Sequence, residues 1–307
     1  MKDIFWNILD CREGYPQRLT AGQRDWYHSR SRAFADRADC TSGVKLSFVS
    51  NAEKLVIEYE AVSFCRSCNV VDIFENGIHT GSVRLPDMQY SGRLVYERKL
   101  TGEAKIDIWL PNTCGIRITD FDFAKYSLIE KPEQKHLILG DSIFQGISSY
   151  FPSCSVSNVL ARNWDGDVIN QSVGGAELRP EALEPLPVAV GYILVAGGIN
   201  NAYSDDFDAM MNAIPPYFEK LRSIFPHAEI SAVTPIWNTR MREEQSQRKV
   251  QLSSEIIRRE CAKWDIRCIE GISLVPHQEA FFNEDGIHHN DFGFLSYSMN
   301  LLRQANI

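Results

Sequence analysis

Short segments in which apolar and polar residues trade places recur through the first 130 residues of the chain. Residues 44–49, 55–59, 70–74, 105–110 and 115–118 read this way, the two-residue period of strands with one buried face. The segment at 70–74 runs into Asn76-Gly77, a pair that tolerates positive φ and so favours a tight hairpin. No convincing amphipathic helix separates these strands. The pattern predicts an all-β antiparallel sandwich over residues 1–130.

At Glu130-Lys131-Pro132-Glu133 the pattern changes to strand, turn, helix. Apolar runs at 136–139, 168–170, 192–195, 229–233 and 267–269 read as short strands. Among the helical stretches between them, the clearest places Val250, Ile257, Cys261 and Trp264 on one face. Residues 294–304 read as a closing helix, and Pro215-Pro216 predicts either a helix start or a break. Strands buried on both faces and alternating with helices predict a parallel α/β sheet over residues 131–307. Its active site is then expected outside the carboxyl ends of the strands.

Composition narrows the class without deciding it. Hydrophobic and charged fractions of 44% and 23% are those of a soluble globular protein with a packed core. The net charge of -8 comes from 40 acidic against 32 basic residues. No dense basic stripe appears, so nucleic acid is not an expected partner. The opening residues carry early acids and no apolar signal segment, and the run at 186–198 is too short and Gly-rich to span a bilayer. The expectation is a cytoplasmic protein with no membrane partner. The 8 cysteines are then expected as free thiols. Cys65-Arg66-Ser67-Cys68 is a lone C-x-x-C without a second pair at metal-site spacing.

Candidate chemistry lies at the ends of the predicted parallel strands. Gly140-Asp141-Ser142-Ile143 follows the strand at 136–139. A serine there stands at the rim with its hydroxyl exposed, and the following N–H groups face a developing negative charge. By itself the string is equally an Asx-type turn capping a helix. Near the carboxyl end, Asp285-Gly286-Ile287-His288 places a carboxylate three residues before an imidazole. That spacing lets the Asp fix the tautomer of a general base, or serves as an ordinary turn before a helix. Between these strings, Asn170-Gln171-Ser172-Val173-Gly174-Gly175 and Gly197-Gly198-Ile199-Asn200-Asn201 each follow a predicted strand. Glycine allows close approach of a backbone N–H, and asparagine offers a fixed amide donor.

Taken in order, these four strings resemble the blocks of the SGNH (GDSL-type) hydrolase family. Gly140-Asp141-Ser142-Ile143 matches the first block, Gly175 the second, Gly198-Ile199-Asn200-Asn201 the third and Asp285-Gly286-Ile287-His288 the last. The resemblance covers about residues 134–307. It implies a three-layer parallel-sheet hydrolase domain, here preceded by a jelly-roll-like sandwich as in two-domain carbohydrate esterases. It further implies Ser142 as nucleophile, His288 as base and Asp285 as its orienting partner. Ser142, Gly175 and Asn200 would form the oxyanion hole, with no metal or other cofactor. One departure stands out: the family usually has Asp where this chain has Asn201, which bears on the hydrogen bonding within that loop. The implied substrate is a small acyl ester such as an acetylated sugar. Tyr150, Trp164, Tyr203 and Trp237 fall in or near the expected rim loops, Trp237 and Tyr203 being the candidate sugar contacts. Two alternatives stay open. One is an acyltransferase acting on an alcohol, and the other is a glycan-binding protein with a silent hydrolase domain.

Overall fold

The computed structural model describes residues 2–67, 69–86, 89–164 and 166–305. Among the described residues eleven strands precede residue 130: β1 (Phe5–Trp6), β2 (Asp10–Arg12), β3 (Tyr15–Gln17), β4 (Lys45–Ser50), β5 (Lys54–Phe64), β6 (Val70–Glu75), β7 (Ile78–Arg84), β8 (Ser91–Glu97), β9 (Ala104–Trp109), β10 (Cys114–Asp122) and β11 (Tyr126–Leu128). One sheet runs β1-β4-β9-β6-β7 with β11 on β4, a second runs β10-β5-β8, and β2 and β3 form a separate hairpin. Their pairings are antiparallel. Alternate residues point inward, so Leu46 and Phe48 of one sheet and Leu55, Ile57 and Ile116 of the other share one core. At the β6–β7 hairpin Asn76 and Gly77 take φ of 52° and 79°, as the Asn-Gly signal requires.

This part of the chain is not all-β. Helices α1 (Ala21–Arg30) and α2 (Arg32–Ala38) stand between β3 and β4. They form because both starts are capped. Thr20 and Gln23 make a reciprocal capping box, and Ser31 accepts from Phe34 N–H. Periodicity missed them because they are short and polar, with only Gln23, Tyr27 and Ala38 buried. Cys65 lies just beyond β5 as a free thiol, while Cys68 of the C-x-x-C lies outside the described residues.

The second half holds the strands β12 (Lys135–Leu139), β13 (Asp167–Asn170), β14 (Val190–Ala196), β15 (Glu229–Val233) and β16 (Arg267–Ile269). They pair in parallel in the order β13-β12-β14-β15-β16. The helices are α3 (Ser142–Gln145), α4 (Val156–Asn163), α5 (Ile199–Ala202), α6 (Phe207–Ile224), α7 (Glu244–Lys263) and α8 (Asp291–Ala305). Successive strand residues point to opposite faces. Ile138, Val168 and Leu194 therefore pack with α4 and α8, while Leu137, Ile169 and Ile193 pack with α6 and α7. Pro215 and Pro216 neither start nor break a helix; both sit inside α6. They occupy its half-exposed side, and the flanking Ile214, Tyr217 and Phe218 are buried, so packing on the sheet offsets the missing N–H groups. Among the described residues no helix is long and apolar enough to cross a membrane.

The order puts β12 between β13 and β14, so the connections after β12 and after β13 run in opposite directions along the sheet, the arrangement that opens a crevice at the carboxyl ends. The amino-terminal part closes one side of it. Arg18 is 3% exposed and its guanidinium donates to five carbonyls: Cys40, Arg37 and Ala38 from its own side, Asn170 at the end of β13 and Ser172 from the loop after it. Asn7 and Ser42 add buried hydrogen bonds to Val168 N–H and the Gln145 carbonyl. Replacing Arg18 with Met keeps much of the volume and strands those acceptors. At about 1–3 kcal/mol per unsatisfied buried group, we expect Arg18→Met to lose about 3 kcal/mol or more in urea unfolding. A loss below about 1 kcal/mol would mean that the carbonyls find other donors.

Candidate active site

Strand β12 ends at Leu139 and hands over through Gly140 to Asp141, whose carboxylate accepts from Ile143 N–H at 2.9 Å and caps α3. A Cβ at Gly140 would stand 2.8 Å from Phe144 Cβ, so the turn needs glycine. Ser142 is the first residue of α3 and is 7% exposed. Burial pushes the Asp141 carboxyl up to about 6.

The Asp285–His288 string lies in the segment before α8. Gly286 takes a φ of 66°, and a Cβ there would collide with Thr239. Thr239 N–H and hydroxyl both donate to the Gly286 carbonyl, which pins this turn to the loop after β15. One Asp285 oxygen accepts from the N–H groups of Ile287 and His288, each at 2.9 Å. The other stands 2.6 Å from His288 Nδ1. Burial raises the Asp285 carboxyl, but the hydrogen bonds from His288 and the two amides outweigh it and hold its pKa below the ordinary value. An ionised carboxylate only accepts, so His288 carries its hydrogen on Nδ1 and presents Nε2 as an acceptor. Ser142 Oγ lies 2.9 Å from that Nε2. Residues 146 positions apart in sequence thus meet in one hydrogen-bonded relay.

Gly175 follows β13 and takes a φ of 80°. The neighbouring Gly174 N–H donates to Gln145 Oε1 at 2.6 Å and is therefore occupied. Asn200, in α5 after β14, donates to the Ala176 carbonyl at 3.0 Å and reaches Asp141 at 3.4 Å. The loops bearing Gly175, Ser142 and Asn200 thus leave three adjacent strands in that order. Asn201 is fully buried, accepts from Leu178 N–H and donates to the Met210 carbonyl. It needs an acceptor and a donor at once, which an amide supplies and an ionised Asp does not.

The aromatic candidates divide. Trp237 stacks on His277 with centroids 4.8 Å apart, and Tyr203 OH donates to Asn238. Both are half-buried and pack against one small cluster beside the rim. Tyr150 is 42% exposed and its N–H donates to Asp291 at the start of α8. Trp164 is not at the rim. It packs between His136 and Tyr192 near the amino ends of β12 and β14, because α4 brings the chain back to that edge. Gln145 and Arg37, absent from the sequence reading, both touch the Gly174 peptide. Nothing local marks Arg37, whose partner lies 137 residues away.

No family model matches the chain, and no curated protein matches it. Solved structures do. Salicylyl-acyltransferase SsfX3 from a tetracycline biosynthetic pathway is 17% identical, with 98% of this chain and 93% of that one covered and a TM-score of 0.78. The fold is shared. A Bacteroides ovatus protein described as a GDSL-like lipase is 14% identical over 99% of this chain and 94% of its own, with a TM-score of 0.75. A family two carbohydrate esterase from Clostridium thermocellum, solved with cellohexaose, is 14% identical over 87% and 94%, with a TM-score of 0.63. The chain resembles the SGNH (GDSL-type) hydrolases, carbohydrate esterases among them, and the likeness spans both of its halves.

Beside His288, His289 is fully buried among Phe282, Phe294 and Tyr297. Burial and the nearby His288 pull its pKa down to about 3. Between about 3 and the ordinary 6.5 only the unfolded chain binds this proton, so stability falls as pH drops through that window and is fully present above it. His289→Phe should reduce the stability difference between about pH 7 and pH 5 by about 2 kcal/mol in urea titrations. An equal difference in both proteins would exclude His289 as the source.

Proposed function

We propose that the chain is a serine esterase of the SGNH kind, cleaving short-chain O-acyl esters, O-acetyl esters first, on a carbohydrate or other small alcohol. One observation carries this reading: the relay from Ser142 Oγ through His288 to Asp285, with contacts of 2.9 and 2.6 Å. In this reading residues 131–307 form the catalytic domain and residues 1–130 a β-sandwich accessory domain.

Ser142 Oγ attacks the ester carbonyl carbon while His288 Nε2 takes its proton, and the carbonyl oxygen becomes an oxyanion. Ser142 N–H, Gly175 N–H and the Asn200 amide receive that charge, and Asp285 stabilises the imidazolium. Collapse breaks the bond to the alcohol oxygen, which takes the proton from His288. Water then attacks the acyl-enzyme, giving up a proton to His288; the acid departs and Ser142 regains its proton.

Tyr203 and Trp237 are the proposed sugar contacts. The fold shared with an acyltransferase keeps transfer to an alcohol as the second reading. Acid released from acetylated sugars and p-nitrophenyl acetate should be measured for wild type, Ser142→Ala and Asn200→Ala. Ser142→Ala should abolish turnover, and Asn200→Ala should lower kcat by about 10²–10³ with folding intact. Equal activity of Ser142→Ala and wild type would remove Ser142 as nucleophile. Ester instead of free acid on adding an acceptor alcohol would mark a transferase.

A further inference from the structure

The peptide that joins Gly174 to Gly175 is gripped through its carbonyl. A peptide group is planar and trans, so the Gly174 carbonyl and the Gly175 N–H point in opposite directions. Arg37 Nη1, from the last turn of α2, donates to that carbonyl at 3.0 Å. The Gly175 N–H is thereby turned away from the guanidinium. A cationic donor on the carbonyl also polarises the peptide and makes its N–H a stronger donor.

A second contact closes the arrangement. Gln145, fully buried, takes the Gly174 N–H on Oε1 at 2.6 Å and donates from Nε2 to the Arg37 carbonyl at 3.0 Å. Arg37 therefore holds Gly174 through its side chain directly and through its carbonyl by way of Gln145. Its own backbone is fixed in turn, since Arg18 Nη2 donates to the same carbonyl at 2.9 Å. Gly175 fits this clamp for two reasons. It takes a φ of 80°, and a Cβ would stand 2.9 Å from Arg37 Nη1. Among the described residues Arg37 forms no ion pair.

We infer that Arg37 is a positioning residue for the oxyanion hole, setting the direction and donor strength of the Gly175 N–H. The inference rests on the esterase reading above. It makes the amino-terminal part of the chain a contributor to turnover without contact with the reacting atoms.

The test uses the full chain: wild type, Arg37→Met, Arg37→Lys, Ser142→Ala and Arg32→Ala. Arg32 is an exposed neighbour on the same helix, its side chain 91% accessible. For p-nitrophenyl acetate, Arg37→Met should lower kcat by about 10²-fold, the cost of a slightly misplaced group, with KM within about twofold. Arg37→Lys should recover part of the loss, and Arg32→Ala should match wild type. In the ¹⁵N–¹H spectrum the Gly175 amide should move upfield in Arg37→Met and partly return in Arg37→Lys. A kcat within about threefold of wild type, with Ser142→Ala inactive, overturns the role of Arg37 and leaves the esterase reading standing. A loss expressed mainly in KM overturns it in favour of substrate binding. The amide shift needs no turnover. An unmoved Gly175 signal therefore sinks the Arg37 geometry even if Ser142→Ala equals wild type, the result that sinks the esterase reading.

Discussion

The end of β13 and the loop that follows it carry buried carbonyls left unpaired by the sheet, and one guanidinium resolves the problem. Arg18 gathers the carbonyls of Asn170 and Ser172 together with those of Arg37, Ala38 and Cys40. Unpaired, such groups would oppose folding of the loop. Paired to one cation, they lock the end of α2 to the end of β13. The remaining contacts of the crevice build on that lock: Ser42 on the Gln145 carbonyl, Gln145 on Gly174, and Arg37 on the next peptide. The segment between β3 and β4, with α2, is thus part of the wall that holds the rim.

Electrostatics at the rim separates groups that the sequence sets side by side. His288 and His289 are neighbours, yet one ring faces Ser142 and Asp285 while the other is enclosed by aromatic rings. Burial keeps His289 neutral near pH 7. The two aspartates differ by the same logic. Asp285 gathers three hydrogen bonds and stays ionised, whereas the buried Asp141 has its pKa raised to about 6. Each titratable group takes its character from enclosure and partners, not from residue type.

Much of the architecture was legible from local pattern. Strands β4, β5, β6, β9 and β10 followed from alternation, β12–β16 from short apolar runs, the β6–β7 hairpin from Asn76-Gly77, and α7 from helical spacing, because these signals arise between residues close in sequence; the short strands β1, β2, β3 and β11, and β8, gave no such signal. The failures share a cause. Helices α1 and α2 are polar and depend on caps and on tertiary contacts, Pro215 and Pro216 are carried inside α6 by the packing of their neighbours, and Trp164 lies at the far edge of the sheet because α4 reverses the chain.

The sequence alone determined the short strings that bear reactive groups and the order in which parallel strands deliver them. Backbone geometry after a strand is a local property, so Ser142, Asn200 and the Asp285–His288 turn were readable. Only the tertiary structure decided that β12 lies between β13 and β14, that His288 reaches Ser142, and that Arg18 and Arg37 hold the loop bearing Gly174. A backbone carbonyl accepts from any donor whatever its own side chain. A hydrogen bond from Arg37 to Gly174 therefore leaves no complementary residue type in the sequence, and only the folded chain brings its two ends together.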